Sequence, residues 1–293
     1  MADLDGIMAG RRCLVTGATA GIGEVTAREL AGLGASVVLV GRDAGKCEAT
    51  AARIRDLTGN PAVESLVADL SSMAEVSRLA DAFRRRHDRL DVLVANAGAL
   101  FLKRSETVDG FERTFALNHL SPFLLTTLLL DPIRAASPSR IVVVASDAHR
   151  GMTLDFDDLQ ARRGRYWGMF AYGRSKLANI LFARELARRL EGTGVTSNAL
   201  HPGFVSSSFF SGPGPARWAM RRVASLFAIA PEQGAKTSVY LASSPEVSGV
   251  SGHYFARCKE ATPSPAARDD EAARRLWQVS EGLLGAWASG PAE

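Results

Sequence analysis

Apolar positions in the first two-thirds of the chain alternate between two textures. Six short runs, at 13–16, 37–40, 63–67, 92–95, 141–145 and 195–200, are mostly rich in Val, Ile or Leu with little polar alternation. Runs of this kind predict strands buried on both faces, as in a parallel sheet. Between them the apolar positions space out to the helical period, at about 22–33, 44–58, 72–87, 109–130 and 171–191. The alternation predicts βαβ units and a doubly wound α/β sheet. After residue 203 the texture changes. Residues 204–230 mix Ser, Gly and Pro with Phe204, Phe209, Phe210, Trp218, Met220, Leu226 and Phe227. A helix over 231–242 with Pro in its first turn, a strand over 252–256 and a tail helix over 268–284 complete the pattern. No repeat or low-complexity linker divides the chain, so one domain over 1–293 is expected.

Composition narrows the function class. Of 293 residues, 46% are apolar and 23% charged, which is ordinary globular usage. The net charge of +4 is spread along the chain, and its densest run, Arg84-Arg85-Arg86, reads as a solvated helix face beside Asp81 and Asp88. No nucleic-acid motif accompanies it. Cys13, Cys47 and Cys258 are odd in number and widely spaced, which argues against a disulfide framework or a zinc site. Residues 1–10 carry two aspartates and no apolar core, and the most apolar stretch, 120–130, is too short to span a bilayer. A cytoplasmic protein without a membrane anchor is expected.

The first candidate site lies between the first strand and the first helix, in Thr16-Gly17-Ala18-Thr19-Ala20-Gly21-Ile22-Gly23. Small residues there let the backbone approach a pyrophosphate, and the helix N-terminus offers N–H groups. The second strand ends in Val40-Gly41-Arg42-Asp43. An NAD site wants a carboxylate at this strand's end. Val40 and Gly41 supply none, whereas Arg42 offers a forked cation for a 2′-phosphate, so NADP(H) is expected over NAD(H). Asp43 is placed to cap the next helix.

A second constellation follows. Tyr172 and Lys176 stand at i and i+4, which puts both on one helix face. A phenol has a reference pKa of about 10, and a neighbouring ammonium lowers it. Such a pair can exchange a proton with a carbonyl or alcohol oxygen. Ser146 ends the fifth strand, where a hydroxyl can hydrogen-bond a substrate oxygen. Asn118 stands inside the 109–130 helix, where Asn has poor propensity, which suggests a structural hydrogen bond or a relay role.

Taken together, the Gly17-x-x-x-Gly21-x-Gly23 turn, Asn96-Ala97-Gly98 after the fourth strand, and Asn118, Ser146, Tyr172 and Lys176 in that order resemble the short-chain dehydrogenase/reductase family over about residues 10–255. The resemblance implies a single-domain Rossmann fold with a mostly parallel seven-stranded sheet. It divides the chain into a cofactor half of about 10–150, a catalytic and substrate half of about 151–260, and a helical tail of about 261–293. It implies Tyr172 as general acid/base and Lys176 as the residue that binds the nicotinamide ribose and lowers the tyrosine pKa. Ser146 would polarise the substrate oxygen, and Asn118 would hold a relay water. Cofactor contacts are implied for Gly17, Thr19, Gly21, Ile22, Gly23, Arg42, Asp69, Leu70, Asn96, Ala97 and Gly98, and for Tyr172, Lys176, Pro202, Gly203, Val205 and Ser207.

The 26 residues from Ser146 to Tyr172, with Asn118-His119-Leu120, Ser175-Lys176-Leu177-Ala178-Asn179 and Leu276-Trp277-Gln278-Val279-Ser280-Glu281, resemble the retinol dehydrogenase-like and WW-domain oxidoreductase-like branch. An NADP(H)-dependent oxidoreductase acting on a small apolar carbonyl or alcohol is therefore expected. The alternatives are a non-redox isomerase, dehydratase or cyclase on the same scaffold and a non-catalytic NADP-binding scaffold. Phe204, Phe209 and Phe210 are candidates for a substrate lid. His119, His149 and His201 form no metal-ligand spacing and are read as structural. The family commonly pairs the helices at 109–130 and 171–191 across a twofold axis, so a homo-oligomer is expected. Phe123, Leu124, Leu128, Leu181 and Phe182 could face either that interface or the sheet.

Overall fold

The structure, a computed structural model, describes residues 6–203 and 229–288. Phe204, Val205, Ser207, Phe209 and Phe210, with Trp218, Met220, Leu226 and Phe227, lie outside the described residues. Seven strands run parallel: β1 (Arg12–Thr16), β2 (Ser36–Gly41), β3 (Val63–Val67), β4 (Val92–Ala95), β5 (Ser139–Val144), β6 (Val195–His201) and β7 (Tyr254–Ala256). Their order is β3-β2-β1-β4-β5-β6-β7, which places a topological switch between β1 and β4. The seven-strand expectation gains an eighth, β8 (Lys259–Glu260), antiparallel to β7. A tight turn makes it, with Arg257 and Cys258 at φ 54° and 58°. Paired positive φ values are what a two-residue hairpin needs, but no Gly or Asn announces this one.

The helices fall where apolar spacing and caps put them. They are α1 (Gly21–Gly32), α2 (Ala44–Thr58) and α3 (Met73–Arg84). Asp43 caps α2, its Oδ1 accepting from Lys46 N at 2.9 Å, and Gly59 closes that helix in the left-handed region. At the C-terminal end of α3, Arg84, Arg85 and Arg86 are exposed while Phe83 is buried, as expected of a solvated face. The cysteines are free.

The helix expected over 109–130 is not continuous. It resolves into α4 (Arg113–Phe115), a π turn (Ala116–Leu120), α5 (Ser121–Leu128) and α6 (Leu130–Ala135). Both Glu112 oxygens cap its start, accepting from Thr114 N and Phe115 N at 2.8 Å each. The widened turn leaves Asn118 and His119 both buried. Periodicity at 3.6 residues cannot show such a turn, because a π turn departs from that period.

The catalytic-side helices are α7 (Gly168–Arg189) and α8 (Pro231–Ser243), followed by the tail helix α9 (Asp270–Ala288). The inner face of α9 buries Ala273, Leu276, Trp277, Ser280 and Leu284 against α3, α5 and α7. The Trp277 ring lies 4.7 Å from Phe123 and stacks on Phe182 at 6.0 Å, under the Arg189 guanidinium at 4.2 Å. Its outer face, with Glu271, Arg274, Gln278 and Glu281, is polar and exposed. The apolar α5–α7 face around Phe123 and Phe182, open in the sequence to an interface or the sheet, is covered by α9 of the same chain. The physical reason is the Leu276/Trp277/Leu284 stripe, which supplies in cis what a partner would bring.

Three histidines join these layers. His119 Nε2 meets Ser280 Oγ of α9 at 2.9 Å. His149 Nδ1 donates to Ser146 O at 2.6 Å, while its Nε2 accepts from Ser264 N at 3.0 Å. His201 Nδ1 accepts from Asp147 N at 3.2 Å. No group of His, Cys, Asp or Glu that could hold a metal occurs among the described residues. Burial pushes His119 down to about 3 and lowers His87, His149 and His201.

Two outcomes follow. His119, fully buried and held near 3, stays neutral in the fold while its unfolded counterpart protonates near pH 6.5. Stability should therefore fall as pH drops below that value, by up to about 1.4 kcal/mol per pH unit for this group, with the lowered His87, His149 and His201 acting in the same direction. Denaturant midpoints measured from about pH 7.5 to 5 check this, and His119→Gln should make the slope shallower. Trp277→Ala should cost roughly 3–5 kcal/mol in the same assay, as truncation of a buried aromatic does.

Candidate active site

The expected cofactor residues gather at the C-terminal ends of β1 to β6, where an open α/β sheet offers a crevice at its switch point. Gly17 and Gly21 have φ values of 65° and 58°, which glycine adopts without strain. A Cβ at Gly23 would stand 2.3 Å from Gly17 O, so only glycine lets α1 start this close to the turn. Ala20 is the N-cap of α1 and provides no side-chain cap, in contrast with Asp43 on α2. The first N–H groups of α1, beside half-buried Ile22, are thus left for an anion, and a pyrophosphate fits.

Thr16 and Asn96 tie the two strands that flank the switch. Thr16 Oγ1 accepts from Asn96 N and Ala97 N at 3.0 Å each. Asn96 Nδ2 donates to Thr16 O at 2.8 Å. The Asn96-Ala97-Gly98 turn is thereby fixed against the glycine turn. A Cβ at Gly98 would lie 3.2 Å from both Lys176 Nζ and Asn118 Oδ1, so this turn also borders the second constellation.

At the end of β2, Arg42 is exposed and forms no ion pair among the described residues. A Cβ at Gly41 would meet Thr19 Cγ2 at 2.6 Å and Cys47 Sγ at 2.8 Å. A side chain at the strand's last position would therefore have to displace both Thr19 and Cys47. Asp69 is turned to its own loop, accepting from Ser71 N and Ser71 Oγ at 2.9 and 2.8 Å, while Leu70 is buried. Pro202 and Gly203 follow β6, and Gly203 sits at φ 93° against Ile229.

The structure brings Asn118, Ser146, Tyr172 and Lys176 to this same edge. Tyr172 is buried and its hydroxyl hydrogen-bonds with Ser146. Ser146 Oγ also accepts from Ala148 N at 3.2 Å. Lys176 Nζ donates to Val144 O at 2.9 Å, and the ammonium stands 5.6 Å from the Tyr172 ring centre. Burial pushes the Lys176 ammonium down to about 8. It raises the Tyr172 phenol above its ordinary value, with the Ser146 bond acting in the other direction. The expected lowering of the phenol by Lys176 does not appear: burial sets the direction and only the Ser146 bond opposes it. Among the described residues Lys176 Nζ donates to Val144 O alone, and its further donors suit a hydroxylated ligand along the 96–98 turn.

Asn118 is fully engaged within the chain. Its Oδ1 accepts from Ala99 N at 2.9 Å, and its Nδ2 donates to Ala99 O at 3.0 Å and Ser175 Oγ at 2.9 Å. Ser175 Oγ donates in turn to Tyr172 O at 2.7 Å. Ser175 stands in the sequence only as part of a branch motif, without a role, and here it links the π turn to the Tyr172 backbone. Thr16 likewise carries no assigned role in the sequence, and Gly173 is not marked at all. A Cβ at Gly173 would stand 2.6 Å from Ala148 O, so this glycine lets α7 close on the Ser146 loop. Their signal was adjacency to the motifs, a small residue beside each reactive one.

Residues 11–214 match the short chain dehydrogenase family profile. Mouse retinol dehydrogenase 14 is 44% identical over 295 residues, 96% of this chain and 87% of that relative. Bovine dehydrogenase/reductase SDR family member 13 is 47% identical over 279 residues, 94% and 74% of the two chains. A crystal structure from Mycobacterium paratuberculosis superposes with a TM-score of 0.79 at 35% identity, covering 97% of this chain and 96% of that one. The Pseudomonas aeruginosa RhlG/NADP active-site complex superposes with a TM-score of 0.67 at 29% identity, over 86% and 95%. With its glycine turn, its switch-point tie and its Ser–Tyr–Lys edge, the chain belongs to the short-chain dehydrogenase/reductase family, on the retinol dehydrogenase-like branch.

Proposed function

We propose that this protein is an NADP(H)-dependent oxidoreductase that interconverts an apolar carbonyl compound and its alcohol, with Tyr172 moving the proton. The observation that carries this reading is the Tyr172–Ser146 hydroxyl pair beside the buried Lys176 ammonium, at the sheet edge where α1 begins uncapped. When bound, the nicotinamide supplies or accepts the hydride. The chain's own residues do the rest. Ser146 and Tyr172 present two hydroxyls to one substrate oxygen, and Tyr172 gives its proton to that oxygen in reduction. Lys176 holds positive charge where the phenolate forms. The Asn118 amide, with both N–H donors given to Ala99 O and Ser175 Oγ, orients the Ala99 turn and α7. The retinol dehydrogenase relatives support an apolar substrate.

Arg42 and Gly41 support the phosphate-bearing cofactor. Arg42 is a cation with no ion pair among the described residues, at the ribose end, and Gly41 supplies no carboxylate to favour the 2′-hydroxyl.

Purified protein, NADPH or NADH, and a panel of aldehydes and ketones test the reading by loss of reduced-nicotinamide absorbance. Tyr172→Phe should lower turnover by about 10²–10⁴. Product formation without net NADPH consumption would replace the redox reading. Arg42→Asp should shift the NADPH/NADH preference by roughly tenfold to a hundredfold, the worth of a lost charge-assisted hydrogen bond. Lys176→Met should abolish most turnover yet raise the denaturant midpoint at neutral pH. The native ammonium costs stability below about pH 8, where it is charged in the fold, and that cost fades as pH rises toward the unfolded value.

A further inference from the structure

Among the described residues, most of the large apolar side chains left exposed are not scattered. Val108, Leu102, Trp167, Met169 and Phe170 come from two segments, 101–108 and 167–170, and each is more than half exposed. These segments touch. A Cβ at Gly168 would stand 2.3 Å from Phe101 O and 2.9 Å from Leu102 Cα, and Tyr166 donates to Phe101 O at 3.4 Å. Leu102 therefore lies beside the start of α7, and with the exposed Trp167, Met169 and Phe170 of that start it gives this face an apolar patch. It lies on the two segments that lead into the candidate site, α7 toward Tyr172 and the chain that follows the 96–98 turn.

The patch has a cationic rim. Segments 101–108 and 160–170 carry five basic residues and one acidic one, an excess equal to the formal net charge of the whole chain. Arg104 pairs with Glu106, the one acid. Lys103, Arg163 and Arg165 are exposed and form no ion pair among the described residues. The Arg165 guanidinium lies over the Trp167 ring at 4.5 Å. Among neighbouring carboxylates, Asp158 is occupied by Arg162 N and Arg163 N, and Asp157 faces Arg275.

We propose that this face docks on an anionic lipid surface. A bilayer interface receives Trp, Phe, Met and Leu into its acyl boundary while its headgroups meet the Lys and Arg rim. A polyanion such as a nucleic acid would use the rim and leave the apolar patch in water. No helix among the described residues is long and apolar enough to cross a membrane, so this contact is peripheral and reversible. It does not need the redox chemistry. It sets the mouth of the site against the phase in which an apolar molecule dissolves.

The test is co-sedimentation of the full chain with phosphatidylcholine vesicles, with and without phosphatidylserine, over a range of salt. Binding is expected with phosphatidylserine only, weakening as salt rises. Trp167→Ser with Phe170→Ser, and separately Arg163→Glu with Arg165→Glu, should each weaken it about tenfold or more. Leu57→Ser, an exposed apolar residue elsewhere, should leave binding unchanged. Thermal midpoints and turnover of a small water-soluble carbonyl should be unaltered in all three. Absence of binding at low salt overturns the proposal, as does binding insensitive to both double variants. Heparin binding that equals vesicle binding and ignores Trp167→Ser with Phe170→Ser also overturns it, in favour of a polyanion surface. Failure of turnover with vesicle binding intact would count against the proposed reaction alone.

Discussion

A single buried cation organises the reactive edge of this protein. Lys176 carries its ammonium out of water and gives one hydrogen bond to the carbonyl that ends β5. That placement is costly by itself, which is why the group is held well below its ordinary range. The surrounding structure pins it there. Gly98 lets the β4 turn come close to the ammonium, Gly173 lets α7 close on the Ser146 loop, and Ser175 ties the neighbouring turn of helix to Asn118. The strain of desolvation and the reactivity of the site are the same fact seen from stability and from chemistry.

Much of the scaffold was legible because its signals are local. Most of the first six strands are rich in Val, Ile or Leu, and the glycine turn, the Asp43 cap and the Pro at the start of α8 each occupy a position only a few residues long. What was hidden depends on distance or on geometry without a sequence mark. The π turn at Ala116–Leu120 breaks the helical period exactly where buried Asn118 meets Ala99, nineteen residues away in the chain. The β7–β8 turn uses Arg257 and Cys258 in a conformation usually given to Gly or Asn. Tyr172 and Lys176 were readable as a pair from their spacing. The sign of the balance between charge and burial was not, because burial is a property of the packed edge.

Histidine chemistry shows a similar division of labour. The residues next to the reactive ones, His119 and His149, are sealed in the interior and join the Ser146 loop and the π turn to the C-terminal segment. Polar groups this deep are tolerated because each finds at least one partner, and their directionality fixes orientation in a way apolar packing cannot. The C-terminal segment thereby reaches the reactive edge without contributing a reactive group.

The tail helix has one more consequence. A face completed by a second subunit is only as full as the protein concentration allows, because dilution separates the partners. Here the Phe123–Phe182 face is completed by Trp277 on a helix tethered to the same chain. Its effective concentration is set by the connecting residues and does not change on dilution. The support behind α5 and α7 is therefore as intact in a sparsely expressed protein as in a concentrated one.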